Sequence, residues 1–161
     1  VRLRVQALGL ISRWKVAELQ DATATLAFSD NTGQSTRLAA VRTLGDLGTD
    51  ETKRLAKLVG SDTSSELRIA GLESLARLNL PEAAALGAGM IGNGQAVDEV
   101  LQTFLNRETG GDALPTALAK ARIGKAPAAT ALARLQSIGS SEARLMEHLG
   151  KVAGVKNNVP T

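Results

Sequence analysis

Two stretches of this chain repeat one pattern: STRLAAVRTLGDL (Ser35 to Leu47) and ELRIAGLESLARL (Glu66 to Leu78) align without a gap. Arg37 falls on Arg68, Leu38 on Ile69, Ala39 on Ala70, Val41 on Leu72, Leu44 on Leu75 and Leu47 on Leu78. Between them runs a second amphipathic segment, Glu51 to Gly60, bounded by turn residues on both sides. A pattern repeating at this length signals stacked supersecondary units, and it constrains the fold more than any composition does. The same columns continue in both directions. Leu8, Val41, Leu72, Leu101 and Leu132 stand 33, 31, 29 and 31 residues apart, and three positions on come Ile11, Leu44, Leu75, Phe104 and Leu135. A helix pair cannot bury its apolar face alone, so neighbouring pairs must stack.

The expected fold is all-α, a right-handed α-solenoid of about five short helix pairs over 1–154, with a polar tail at 155–161. Second helices are expected at about 2–14, 35–47, 65–78, 96–107 and 126–138. Val1 to Trp14 reads as the second helix of a pair whose first helix is missing, which suggests a segment of a longer protein. First helices are expected from Lys15, with Val16, Leu19, Thr23 and Leu26 on one face, from Glu51, from Pro81, and near Pro115. Gly92-Asn93-Gly94 closes the third of these, and Thr109 to Asp112 breaks the chain before the last. Ser35 and Ser140 are N-cap candidates. Gly87 and Gly89 are expected to loosen their helix. Aromatic residues are only 2% of the chain, so the core must be aliphatic, and strand-like alternation is nearly absent.

Several function classes are disfavoured. The 19 basic and 16 acidic residues are interspersed, unlike the basic stripe of a nucleic-acid binder. No apolar run approaches the roughly 20 residues a membrane-spanning helix needs. The absence of cysteine removes thiolate ligands, Cys nucleophiles and covalent haem attachment. The single histidine, His148, has one adjacent carboxylate, Glu147, which is too few for a metal site, and a helix-surface role is expected. No phosphate loop surrounds Gly87, Gly89, Gly92 and Gly94, because no strand precedes them and no GK[ST] follows. The segment therefore reads as non-catalytic, with no cofactor.

The helix SDTSSELRIAGLESL (Ser61 to Leu75) resembles the second helix of short HEAT-like repeats of the phycobilisome-lyase type, D-x-x-x-x-V-R-x-x-A-x-x-x-L. Leu67 stands at the Val position and Gly71 at the Ala position. This resemblance implies a scaffold or protein-interaction role. It also implies that Arg4, Arg37 and Arg68, with Asp30 and Asp62, form a packing ladder tying one unit to the next. A basic ladder for an anionic ligand is the alternative. In HEAT solenoids the second helix lines the concave face, which points to Arg42, Glu73, Arg77, Asp46 and Gln102 as partner-binding positions. Their mixed sign suits a protein partner, or neighbouring domains of the same polypeptide. Separately, Gly124 to Gly154 resembles the last HEAT-like helices of planctomycete-type membrane-bound dehydrogenases that carry a c-type cytochrome domain. That likeness implies a structural linker in a periplasmic oxidoreductase; otherwise a cytoplasmic location is expected.

Overall fold

A computed structural model of the chain describes residues 2–106, 110–139 and 142–155. The described residues form ten α-helices and one short 3-10 turn, in two compact units, Val1–Ala83 and Ala84–Thr161. The all-α expectation is met.

The first unit contains α1 (Arg2–Trp14), the 3-10 turn (Ala17–Leu19), α2 (Gln20–Phe28), α3 (Gln34–Leu47), α4 (Thr52–Val59), α5 (Ser65–Leu78) and the start of α6 (Leu80–Gly92). α2 packs on α3 and α4 on α5, while α1 packs on α3 and α3 on α5. Helices 31–33 residues apart are therefore neighbours. Leu8, Val41, Leu44, Leu72 and Leu75 are all at most 2% exposed, and Ile11 is half-buried. Each such side chain contributes about 1.5–3 kcal/mol on leaving water. The core also relies on small residues. A Cβ on Gly45 would lie 2.8 Å from both the Cα and the Cβ of Ser74, so α3 and α5 touch almost backbone to backbone there.

The second unit contains the rest of α6, then α7 (Val97–Leu105), α8 (Gly110–Ala121), α9 (Lys125–Ser137) and α10 (Ala143–Ala153). α7 packs on α8 and α9, and α10 packs on α8 and α9. Leu101, Phe104, Leu132 and Leu135 are at most 6% exposed. The column positions read from the sequence are core positions in this unit too.

Several local expectations are corrected. α2 starts only at Gln20, because α1 ends in a Schellman motif: Lys15 takes φ 54°, its N–H donates to Ser12 O, and the Val16 N–H donates to Ile11 O. Val16 and Leu19 thus precede the helix they were expected to line, and its buried residues are Thr23, Ala24 and Ala27. α3 begins one residue before Ser35, with Gly33 at the cap and no side-chain capping bond. At α5 a serine not singled out in the sequence caps the helix, with Ser64 Oγ accepting from Leu67 N–H at 3.4 Å. Gly110 to Asp112 are helical rather than a break, so Pro115 lies inside α8 and leaves the Gly111 carbonyl without an i+4 donor. Gly87 does not merely loosen α6. A Cβ there would meet the Phe104 ring at 2.9 Å and Val100 at 3.1 Å, so glycine admits the aromatic. The Ser140 cap, Arg107 and residues 156–161 lie outside the described residues.

Candidate interaction surface

The arginine column has two members in well-defined surroundings. Arg37 Nε donates to the Ala27 carbonyl at 3.3 Å, and its NH1 lies 3.2 Å from Asp30 Oδ1. Arg68 Nε donates to the Val59 carbonyl at 2.9 Å. Ala27 and Val59 lie in the last turns of α2 and α4, where carbonyls lack intrahelical donors and the helix dipole is negative. Both bonds are made inside one helix pair, from the second helix back to the first. That differs from the expected tie between successive units, and the reason is geometric: an arginine in the first turn of α3 or α5 lies beside the end of the helix that precedes it. Asp62 is exposed, as is Arg4.

The links between successive second helices come instead from residues expected to face a partner. Arg42 Nε lies 3.6 Å from Glu73 Oε2, and Arg77 NH1 lies 3.1 Å from Asp46 Oδ1, so both pairs join α3 to α5. Gln34 Nε2 donates to Glu66 Oε2 at 2.7 Å between the same helices. Asp46 also accepts from Ser12 Oγ at 2.5 Å, and its carbonyl accepts from Lys15 Nζ. Asp46 is thus a node where α1, α3 and α5 meet. The side chains of Arg42, Glu73, Arg77 and Asp46 remain 34–55% exposed, so they are accessible but already matched in charge. Gln102 is exposed on α7 in the other unit. There Asp98 and Arg134 join α7 to α9 at 3.2 Å, and Asp112 and Arg144 join α8 to α10 at 2.7 Å.

Beneath the ionic row lies a feature the residue columns did not reveal. Thr43 Oγ1 donates to the Ala39 carbonyl of its own helix at 2.9 Å and lies 3.3 Å from the Leu8 carbonyl, and Ser74 Oγ donates to the Val41 carbonyl at 2.9 Å. Both hydroxyls stand two positions after the anchor, and both reach the anchor carbonyl of the preceding second helix. Thr43 and Ser74 are 3% and 0% exposed. Small hydroxyl residues recurring between two apolar columns are the sequence signal that would have found them.

Other features offer less. A pocket of about 380 Å³ is lined by Phe28, Asp30, Arg37, Arg54, Lys57 and Leu58, among others. Arg54 lies over the Phe28 ring at 4.1 Å and pairs with Glu51 at 3.3 Å, while Arg37 pairs with Asp30, so most of its positive charge is already met. His148 is half-buried rather than fully at the surface, and its Nε2 is buried with no hydrogen-bond partner among the described residues. Glu147 points to solvent, where a hydrogen bond from Lys151 and its charge hold the carboxyl below its ordinary pKa. Among the described residues no group of three or more His, Cys, Asp or Glu could hold a metal, and no helix is long and apolar enough to cross a membrane. Comparison with protein-family models, curated proteins and solved structures finds no match.

Proposed function

We propose that this chain is a non-catalytic HEAT-like α-solenoid segment that acts as a scaffold or interaction surface for proteins. The observation that carries this reading is the repeated register of α1, α3 and α5. The anchors Leu8, Val41 and Leu72 are buried, and Thr43 and Ser74 each reach the anchor carbonyl of the preceding helix, between helices 31–33 residues apart. Such stacking by equivalence is how repeat arrays grow, and arrays present a long row of second-helix side chains to partners. The exposed row through Arg42, Glu73, Asp46 and Arg77 carries alternating charge. That arrangement favours a protein surface of matching pattern over a polyanion.

Site-specific photo-crosslinking in the native host tests the reading. A crosslinker at Arg42 or Gln102 is expected to capture the same protein, or another part of the same polypeptide, repeatedly, whereas one at Lys53 on α4 is not. Equal capture from all three positions would overturn the interaction role. A propeller encoded upstream and a CxxCH motif downstream in the same reading frame would make the segment a linker instead.

A further inference from the structure

We propose that the outer face of α1 is a docking site for a further helix pair of the same repeat, whose first helix ends against Arg4. The inference rests on the repeat reading above and adds the occupant and its chemistry. Leu3, Ala7, Leu10 and Trp14 occupy the positions of Thr36, Ala40, Thr43 and Leu47 in α3, and of Leu67, Gly71, Ser74 and Leu78 in α5. In α3 and α5 the first three of these are buried: Thr36 2%, Ala40 0%, Thr43 3%, Leu67 3% and Ser74 0% exposed, with Gly71 also buried. In α1 the same face is open, with Leu3 81% and Leu10 45% exposed, and Trp14 is 68% exposed where Leu47 and Leu78 are half-buried.

What covers that face elsewhere in the molecule is visible. Gly71 faces Leu58 and Val59 of α4, while Ser74 contacts Gly45 and Val41 of α3. A first helix and the preceding second helix share the task. Arg4 supplies an independent observation. Arg37 and Arg68 each donate to a carbonyl in the last turn of a first helix, and Arg4, at the same position, is exposed with no hydrogen bond or ion pair among the described residues. The occupant therefore presents a helix C-terminus to Arg4. An Asp three residues past the accepting carbonyl belongs with it, as Asp30 follows Ala27 and Asp62 follows Val59. A second copy docking α1 on α1 is disfavoured by charge, because α1 carries Arg2, Arg4 and Arg13 and no acid.

The chain contains its own probe, since Trp14 is its single tryptophan. Residues 34–64, which cover the equivalent face of α5, are joined ahead of Val1 in the full chain; the junction preserves the repeat spacing. A second fusion carries Leu10→Ser, matching Ser74, in case the larger side chain blocks close approach. In at least one fusion, Trp14 emission is expected to shift to the blue and its acrylamide quenching to fall severalfold. The Arg4 Nε–H is expected to gain protection from exchange. Unchanged quenching in both fusions overturns the proposal. So does concentration-dependent shielding of Trp14 in the unmodified chain that Leu10→Glu abolishes, because the occupant would then be a second copy. Shielding of Trp14 without selective crosslinking at Arg42 and Gln102 would keep this site while removing the interaction role.

Discussion

Arg37 and Arg68 show how one side-chain position acquires a structural role from its neighbours. Each sits in the first turn of a second helix and faces the carbonyl end of the helix before it, where a guanidinium meets both an unpaired acceptor and a negative dipole. Hydrogen bonds to charged groups are worth about 1.5–3 kcal/mol, so Arg68→Ala should destabilise the chain by that order in a denaturant titration. Arg68→Lys should recover only part of the loss, because an ammonium lacks the planar fork. The exposed pairs behave differently. A double-mutant cycle on Arg42 and Glu73 should return a coupling of only about 0.2–1 kcal/mol, shrinking as salt is added. Glu147 titrates in a predictable direction. Lys151 depresses its folded pKa, so the contribution of this pair to α10 is present above the unfolded value and is lost as pH falls through the folded one. In a carboxyl NMR titration, Lys151→Ala should raise the Glu147 midpoint.

Between helices, the decisive residues are those that permit approach. Gly45 has its Cβ position occupied by Ser74 backbone and side chain, and neither can rotate away. Helix propensity alone would make Gly45→Ala stabilising by about 1 kcal/mol. Overpacking against backbone costs about 1–3 kcal/mol, so the net effect should be a lower melting temperature. Gly89, on the same helix as Gly87, has open space at its Cβ position, and Gly89→Ala should be neutral or stabilising. Both residues look alike in the sequence. Only the position of the Phe104 ring separates them.

For the molecule as a whole, protection from hydrogen exchange should follow how completely each helix is covered. α3 packs on α1, α2 and α5, and α5 on α3 and α4, whereas α1 leaves Leu3, Leu10 and Trp14 in solvent. Amides of α1 should therefore exchange faster than those of α3 and α5, and equal protection would contradict the open face. Gly45 lies in the first compact unit, whereas α9 and α10 lie in the second. Gly45→Ala should then weaken protection in α3 and α5 far more than in α9 and α10.

The helices, their period and the buried columns were legible because apolar spacing is a local property. Leu8, Val41, Leu72, Leu101 and Leu132 announce one face each, wherever their neighbours lie. The arginine column was legible for the same reason, although its bonds run within a helix pair rather than between pairs. What tertiary structure alone decided is which residues oppose one another. The crossing of α3 over α5 sets Arg42 against Glu73, Asp46 against Arg77 and Gly45 against Ser74, so the exposed charged row is also matched within itself. That α1 lacks its first helix was legible too; the structure decided which of its residues go uncovered. Leu3 and Leu10 read as ordinary helix residues until α3 and α5 show that their counterparts Thr36, Thr43, Leu67 and Ser74 are enclosed. Opposition across a helix crossing depends on axial offset and angle, and neither is encoded in the spacing along a single helix.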